Sequence, residues 1–282
     1  MAACAIDEAV RNAVAVGGSL ERLAGLDNFC WCDPVQSEKT PDGHYKLAQL
    51  VRANHALYDY TRIYGVPCIS GKDSMKNDYQ IGDTKISIPP TLLFSVIGRI
   101  EDVRKAVTMD AKRAGDLVYV LGETKRELGG SEWYAMHGAV GNDVPKVDAA
   151  HAKVLYTALS MAIRQGIVAS CHDCSDGGLA VALAETAFSG GLGMSVDLAA
   201  IPASGIARDD EMLFSESQSR FVVTVRPENK RAFESALAGS PIACIGTVTA
   251  EGLFRVKGLR GSVILEEKIG DLKEAWQKTL RF

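Results

Sequence analysis

Cys171-His172-Asp173-Cys174-Ser175-Asp176-Gly177-Gly178 places carboxylates and a hydroxyl just ahead of a glycine pair, and Leu179 to Phe188 reads as a helix. Glycines let a ligand approach the backbone closely. A helix start offers free N–H groups and a positive dipole end, which suits phosphate. Asp173 and Asp176 are hard oxygen ligands of the kind Mg²⁺ takes. The same residues would also serve as a plain N-cap, and spacing alone leaves both readings open. A second stretch, Gly71-Lys72-Asp73-Ser74, follows an apolar strand pattern. It lacks the glycines of a P-loop. It still supplies a lysine, a carboxylate and a hydroxyl for phosphate and metal, or else forms a solvated turn. Glu8 and Asn12 stand at i, i+4 on one helix face, where two side-chain oxygens either share a cation or simply face water. Two further polar stretches, Leu213 to Arg220 and Gly129-Gly130-Ser131-Glu132, are ligand candidates or capping segments. Cys171-x-x-Cys174 with His172, taken with Cys30-x-Cys32, falls short of usual zinc spacing. The acidic residue after Cys174 disfavours a redox thiolate.

The elements that must position these residues follow from periodicity. Residues 2–16 read as an amphipathic helix stopped by Gly17-Gly18. Residues 19–45 read as irregular. Residues 46–64 read as a helix with Leu47, Leu50, Val51, Leu57, Tyr60 and Tyr64 on its apolar face, capped by Gly65. VPCIS is expected to be a short buried strand, GKDSMKND a polar loop and 92–100 a strand. A shift to small and polar residues at 108–116 suggests a boundary between a domain at 1–110 and another at 111–282. The second part alternates helices (147–165, 179–188, 208–214, 227–239, 270–280) with strands (117–121, 167–170, 193–198, 220–225, 241–249), and 254–258 with 262–268 form a hairpin. Residues 122–133 and 171–178 are expected to be loops. This is a two-layer α/β pattern.

Composition bounds the rest. The chain has 282 residues, and 31 Lys and Arg against 35 Asp and Glu give a net charge of −4, so bulk charge does not point to nucleic acid. No apolar run reaches the ~18 residues a membrane helix needs. Seven cysteines and no basic, apolar leader suggest reduced thiols in the cytoplasm. The abrupt start on a helix suggests that opening strands lie upstream.

In this order, several stretches resemble the phosphoribosylformylglycinamidine synthase family, in the C-terminal of its two tandem synthetase modules. They are AACAIDEAVRNAVAVGG, LDNF, GVPCISGKDSMKND, ELGGSEW, CHDCSDGGLAVALAETAFSGG and LFSESQSRFVV. The resemblance implies an α+β, aminoimidazole ribonucleotide synthetase-like fold, with a partial N-terminal α/β domain and a C-terminal mixed α/β sandwich domain. It implies a ligase that uses ATP and glutamine-derived ammonia to convert formylglycinamide ribonucleotide to formylglycinamidine ribonucleotide through an iminophosphate. Asp27 and Gly71 match ATP contacts, and Ser74 matches a substrate contact. Lys72 stands where shorter relatives place a metal-binding Asn; it cannot ligate Mg²⁺, so it implies a phosphate contact. Glu8, Asn12 and Asp173 match Mg²⁺ ligands of a second, non-reacting nucleotide (ATP or ADP), and Ser175 matches a contact to it. No catalytic residue is implied here, because the family's catalytic histidine lies in the N-terminal module. The implied partners are that module and a glutamine amidotransferase. An uncovered sheet face implies self-association of the isolated chain. Selenophosphate synthetases, thiamine-phosphate kinases and hydrogenase maturation proteins share this superfamily, but their N-terminal glycine-rich and acidic motifs are missing. A non-catalytic scaffold module is the reading from a different class.

Overall fold

Ile6, Val10 and Val14 recur at helical spacing and form the buried stripe of helix α1 (Ala2–Ala15). Gly17, at φ +103°, turns the chain out of it. In this computed structural model, which describes residues 1–278 and 280, α1 is followed by β1 (Leu23–Cys30), α2 (Gly43–Tyr64) and β2 (Cys68–Ser74). β1 and β2 run parallel, so α2 is the crossover a parallel pair requires. A hairpin of β3 (Asp78–Ile81) and β4 (Thr84–Ser87) leads to β5 (Thr91–Gly98), which pairs antiparallel with β1. The resulting sheet has the order β2-β1-β5. Phe29, Trp31 and Leu92 pack with Ala53 of α2 into a small core beneath it.

The next elements are β6 (Leu117–Leu121), β7 (Thr124–Lys125), α3 (Glu132–Met136), α4 (Ala149–Arg164), β8 (Val168–Asp173), α5 (Gly178–Gly190), β9 (Gly193–Asp197) and β10 (Ala203–Ser204). Then come α6 (Asp209–Phe214), β11 (Phe221–Val225), α7 (Lys230–Ala236), β12 (Ile242–Thr249), β13 (Leu253–Lys257), β14 (Val263–Lys268) and α8 (Ile269–Lys278). Seven of these strands form one sheet, in the order β14-β13-β9-β12-β6-β11-β8. Side chains alternate across it with a period of two. Tyr119, Leu121, Phe221 and Val223 face a core shared with α1, α4 and α7. Val118, Val120 and Val222 face the other way, onto α5, α6 and α8.

Several expectations need correction. Both faces of the large sheet are covered, so the arrangement has three layers rather than two. β1 lies inside the stretch read as irregular; Asp, Asn and Gly within it weaken the strand pattern. β2 is exposed along nearly its whole length rather than buried, because it is the edge strand of its sheet. Gly71 to Ser74 belong to that strand, not to a loop, and Cys171 to Asp173 complete β8. The hairpin at 78–87 was not anticipated, and the stretch read as a loop at 122–133 contains β7 and the start of α3. Helix α2 begins at Gly43. It buries Ala53 and Tyr64, while Leu47 and Val51 are exposed. The last helix is described to Lys278; Thr279 lies outside the described residues. No helix among the described residues is long and apolar enough to cross a membrane.

Candidate functional site

The middle turn of α1 meets the C-terminal end of β8. Asp7 and Arg11 lie among the apolar residues of α1 and have no exposed surface. Their i, i+4 spacing allows an ion pair of 2.6 Å. Asp7 also accepts from the hydroxyls of Tyr64 (2.5 Å), Tyr156 (2.6 Å) and Ser219 (2.9 Å), and from the Ser219 backbone N–H (3.1 Å). Burial and the Asp7 charge push both tyrosine hydroxyls far above their ordinary range, so they stay protonated and donate. Burial opposes the charge of Arg11, but Asp7 more than restores it. With Asp7 held by this many donors, the guanidinium paired with it is fixed in place.

Arg11 spends its other N–H groups on the site. It donates to Ser175 Oγ at 3.1 Å, Gln218 Oε1 at 3.2 Å and Asp173 Oδ2 at 3.4 Å. Ser175 Oγ donates to Asp173 Oδ2 at 2.7 Å. Burial pushes the Asp173 carboxyl up. The hydrogen bond from His172 and the Arg11 charge outweigh it and hold the group at about 2. His172 sits between Asp173 (3.5 Å) and Glu185 (2.7 Å). Burial would lower its pKa, but bonds to the two carboxylates raise it to about 9. Glu185 accepts in turn from Trp276 Nε1 of α8 at 2.8 Å.

Of the sequence-derived candidates, Asn12, Asp173 and Ser175 come together here. The Asn12 amide lies 2.9 and 3.1 Å from the two Asp173 oxygens and donates to both when its NH₂ is turned toward them. Turned the other way, its oxygen joins the carboxylate on one side. Glu8 lies one turn along the same face and makes no hydrogen bond among the described residues. Its carboxyl is pushed up by burial, against the pull of Arg11, and further up by Asp173 and Asp176. Two carboxylates and an amide oxygen, with Asp173 held ionised, fit a hard divalent cation in donor type. Among the described residues no three His, Cys, Asp or Glu side chains converge as a metal-holding group. The zinc and thiol readings fail on the same geometry. His172 is engaged by carboxylates, and burial pushes Cys171 up and Cys174 to about 11.

Asp27, Gly71, Lys72 and Ser74 form a separate group on the small sheet. No hydrogen bond or ion pair among the described residues links it to the Arg11 group. Asp27 pairs in register with Gly71, Asn28 with Lys72 and Cys30 with Ser74. The Asp27 carboxylate lies over Gly71, where an added Cβ would stand 2.8 Å from Oδ1. Lys72 donates to Ser74 at 2.9 Å on the opposite, open face. The strand period therefore separates the two pairs.

The glycine loop is not left open. Glu216 Oε1 accepts from Gly177 N at 2.9 Å and from Glu132 N at 3.0 Å, which ties the starts of α5 and α3 together. The segment before β11 is shaped by buried Arg220, which donates to Ser217 O, Ser215 O and Thr124 Oγ1. Sequence reading missed Asp7, Arg11 and Glu185; it took His172 only as part of a zinc reading and Glu216 only as part of the Leu213 to Arg220 stretch. For the first two the available signal was two charges on the apolar side of an amphipathic helix.

Comparison with known proteins adds the following. The model of the AIR synthase related protein C-terminal domain matches residues 113–258. The phosphoribosylformylglycinamidine synthase subunit PurL of Alkaliphilus metalliredigens is 36% identical over 280 residues, which is 98% of this chain and 35% of that protein. The chain thus spans about a third of that relative's length. Two solved structures share the fold. One is Thermotoga maritima PurL complexed with FGAR (TM-score 0.73, 21% identity, 96% of this chain and 42% of that one). The other is the hydrogenase maturation protein HypE in complex with ATP (TM-score 0.70, 17% identity, 95% and 78%).

Proposed function

The chain belongs to the AIR synthase related family, and from that membership we propose that it is the C-terminal, nucleotide-holding part of a purine-biosynthetic ligase. The whole enzyme would convert formylglycinamide ribonucleotide to formylglycinamidine ribonucleotide. The substrate amide oxygen attacks the γ-phosphorus of ATP, ADP leaves, and glutamine-derived ammonia then displaces phosphate from the iminophosphate. The 36% identity to PurL over nearly the whole chain supports this reaction over other uses of the fold.

The observation that carries the nucleotide role is the convergence of Asp173 and Ser175 on one buried guanidinium, Arg11, with Asn12 against the Asp173 carboxylate. Ser175 contacts nucleotide phosphate in this reading. Asp7 and Arg11 fix Ser175 and Asp173 before the ligand arrives, so little ordering is left for binding. Asp173, Asn12 and Glu8 would hold Mg²⁺, which neutralises phosphate charge when bound. Asp27 and Gly71, and Lys72 and Ser74 on the other face of β2, are proposed as nucleotide and substrate contacts completed by an N-terminal synthetase module. This chain supplies no catalytic base.

Calorimetric titration of the chain with ADP or ATP and Mg²⁺ tests the role. We expect saturable binding that Asp173→Ala abolishes. Absence of binding at millimolar nucleotide would support the second reading, a structural half, which the Glu216 carboxylate on Gly177 N already favours. Activity on combining the chain with an N-terminal synthetase module separates a working half from a scaffold.

The division at 110/111 is part of the proposal. All strand pairing in the two larger sheets falls within 23–98 or within 117–268, although α1 packs with the second part. The proposed setting is the cytoplasm, with the N-terminal synthetase module and a glutamine amidotransferase as partners. The open face of the small sheet, with Leu26, Leu93 and Ile97 exposed, suits the sister module or a second copy of the chain.

A further inference from the structure

We propose that a cavity at the far end of β8 from Asp173 is a binding site for a single phosphate-type oxyanion. The cavity measures about 130 Å³ and is lined by the cations Arg22, Arg99, Lys105 and Arg164, by the acids Glu21, Glu101 and Asp102, and by Ser19. At ~30 Å³ per water it holds a few waters, or one phosphoryl group, and is too small for a nucleoside.

Its four cations come from four separate segments: the turn before β1, the residue after β5, the following 3₁₀ turn and the last turn of α4. None of the four has a side-chain hydrogen bond or ion pair among the described residues. The neighbouring Arg104 shows the contrast, since it is tied to Asp102 through Nε at 2.8 Å and Nη2 at 2.9 Å. That bond engages one of the three lining carboxylates, so four cations face the two that remain. Ser19 is 91% buried by its 9% exposure and lines the same cavity. As N-cap of the 3₁₀ turn it makes no side-chain capping bond, and its hydroxyl has no partner among the described residues. A hydroxyl with no protein partner, lining the same cavity as three guanidinium groups and an ammonium that have none either, matches a tetrahedral oxyanion, which arginine binds through two N–H groups at once. Stabilisation by helix C-termini accounts for Arg164 alone; Arg22 and Arg99 lie on no α-helix.

The site is separate from the proposed nucleotide site. Arg164 precedes β8, Asp173 ends it, and six strand residues span roughly 20 Å. The inference therefore stands or falls independently of the ligase reading. The test is calorimetry of the chain with inorganic phosphate at constant ionic strength, using chloride as control. We expect saturable binding with a Kd below ~1 mM. Arg99→Gln combined with Arg164→Gln should weaken it about tenfold or more, and Lys105→Gln by less, while Asp173→Asn changes nothing. Displacement by ribose 5-phosphate would assign the site to a phosphate monoester, and failure to displace would assign it to free phosphate. No saturation at about ten times that Kd, indifference to the arginine substitutions, or loss in Asp173→Asn would each overturn the proposal. Binding of an acidic peptide without binding of phosphate would overturn it as well.

Discussion

Arg11 has no exposed surface, yet it donates to Asp173, Ser175 and Gln218 at this end of β8. Its charge is balanced by Asp7, and removing one member of such a pair strands the other. Arg11→Met is therefore expected to cost about 3–5 kcal/mol in urea unfolding. The double change Asp7→Asn with Arg11→Met should cost less than the two single changes summed, because no lone buried charge remains. The neighbouring pair sets a pH dependence. His172 is raised from 6.5 to about 9 in the folded chain, so its contribution is complete below pH 6.5 and is lost as pH rises through 9. Asp173 is lowered from 3.8 to about 2, so its contribution is present above about pH 4 and is lost as pH falls through 2. Unfolding midpoints should thus fall on both sides of pH 4–6.5, and His172→Gln should flatten the alkaline limb. At this scale the sequence was partly legible. Glu8, Asn12, Asp173 and Ser175 announce oxygen chemistry by residue type. Asp7 and Arg11 do not, because a buried i, i+4 pair is spelled like a solvated one. Their partner Ser219 lies too far along the chain for any local pattern to reveal it.

The loop into α5 shows how an element can be specified by backbone shape. Gly178 sits at φ +67°, and a Cβ there would stand 2.6 Å from Ser215 O and 2.9 Å from Leu213 O. Both obstacles are backbone, so neither can swing away. Gly191 has nearly the same φ, +65°, but open space around it. Gly191→Ala should cost about 1 kcal/mol for conformation alone, whereas Gly178→Ala should cost roughly 2–4 kcal/mol. Paired thermal or urea denaturation of the two variants checks this, and equal losses would refute the steric account. Helices and central strands were legible at this scale because burial imposes a period on them. LVYVL and RFVVTV name themselves. β1 did not, since Gly25, Asp27 and Asn28 break its pattern, and β2 did only over Cys68 to Ser70, since the exposed polar residues that continue this edge strand read as a loop.

The molecule as a whole is joined by α1, which lies in the first part of the chain and helps close the core on one face of the seven-stranded sheet. The small sheet by contrast leaves Leu26, Leu93 and Ile97 in solvent. We expect concentration-dependent association of the chain in size-exclusion chromatography with light scattering, and a shift toward monomer in Leu93→Lys. A monomer at all concentrations would count against the open face as a contact surface. The same helix constrains how the protein is made. Asp7 and Ser219 are 212 residues apart. At ~5–20 residues per second, roughly ten to forty seconds separate their synthesis on the ribosome. Throughout that interval Ile6, Val10 and Val14 have no complete seven-stranded sheet to rest on, and Asp7 and Arg11 lack Ser219 and Gln218. A helix made more than 200 residues ahead of its last partner is therefore locked late, and it waits as a sticky amphipathic segment that a chaperone would be expected to hold.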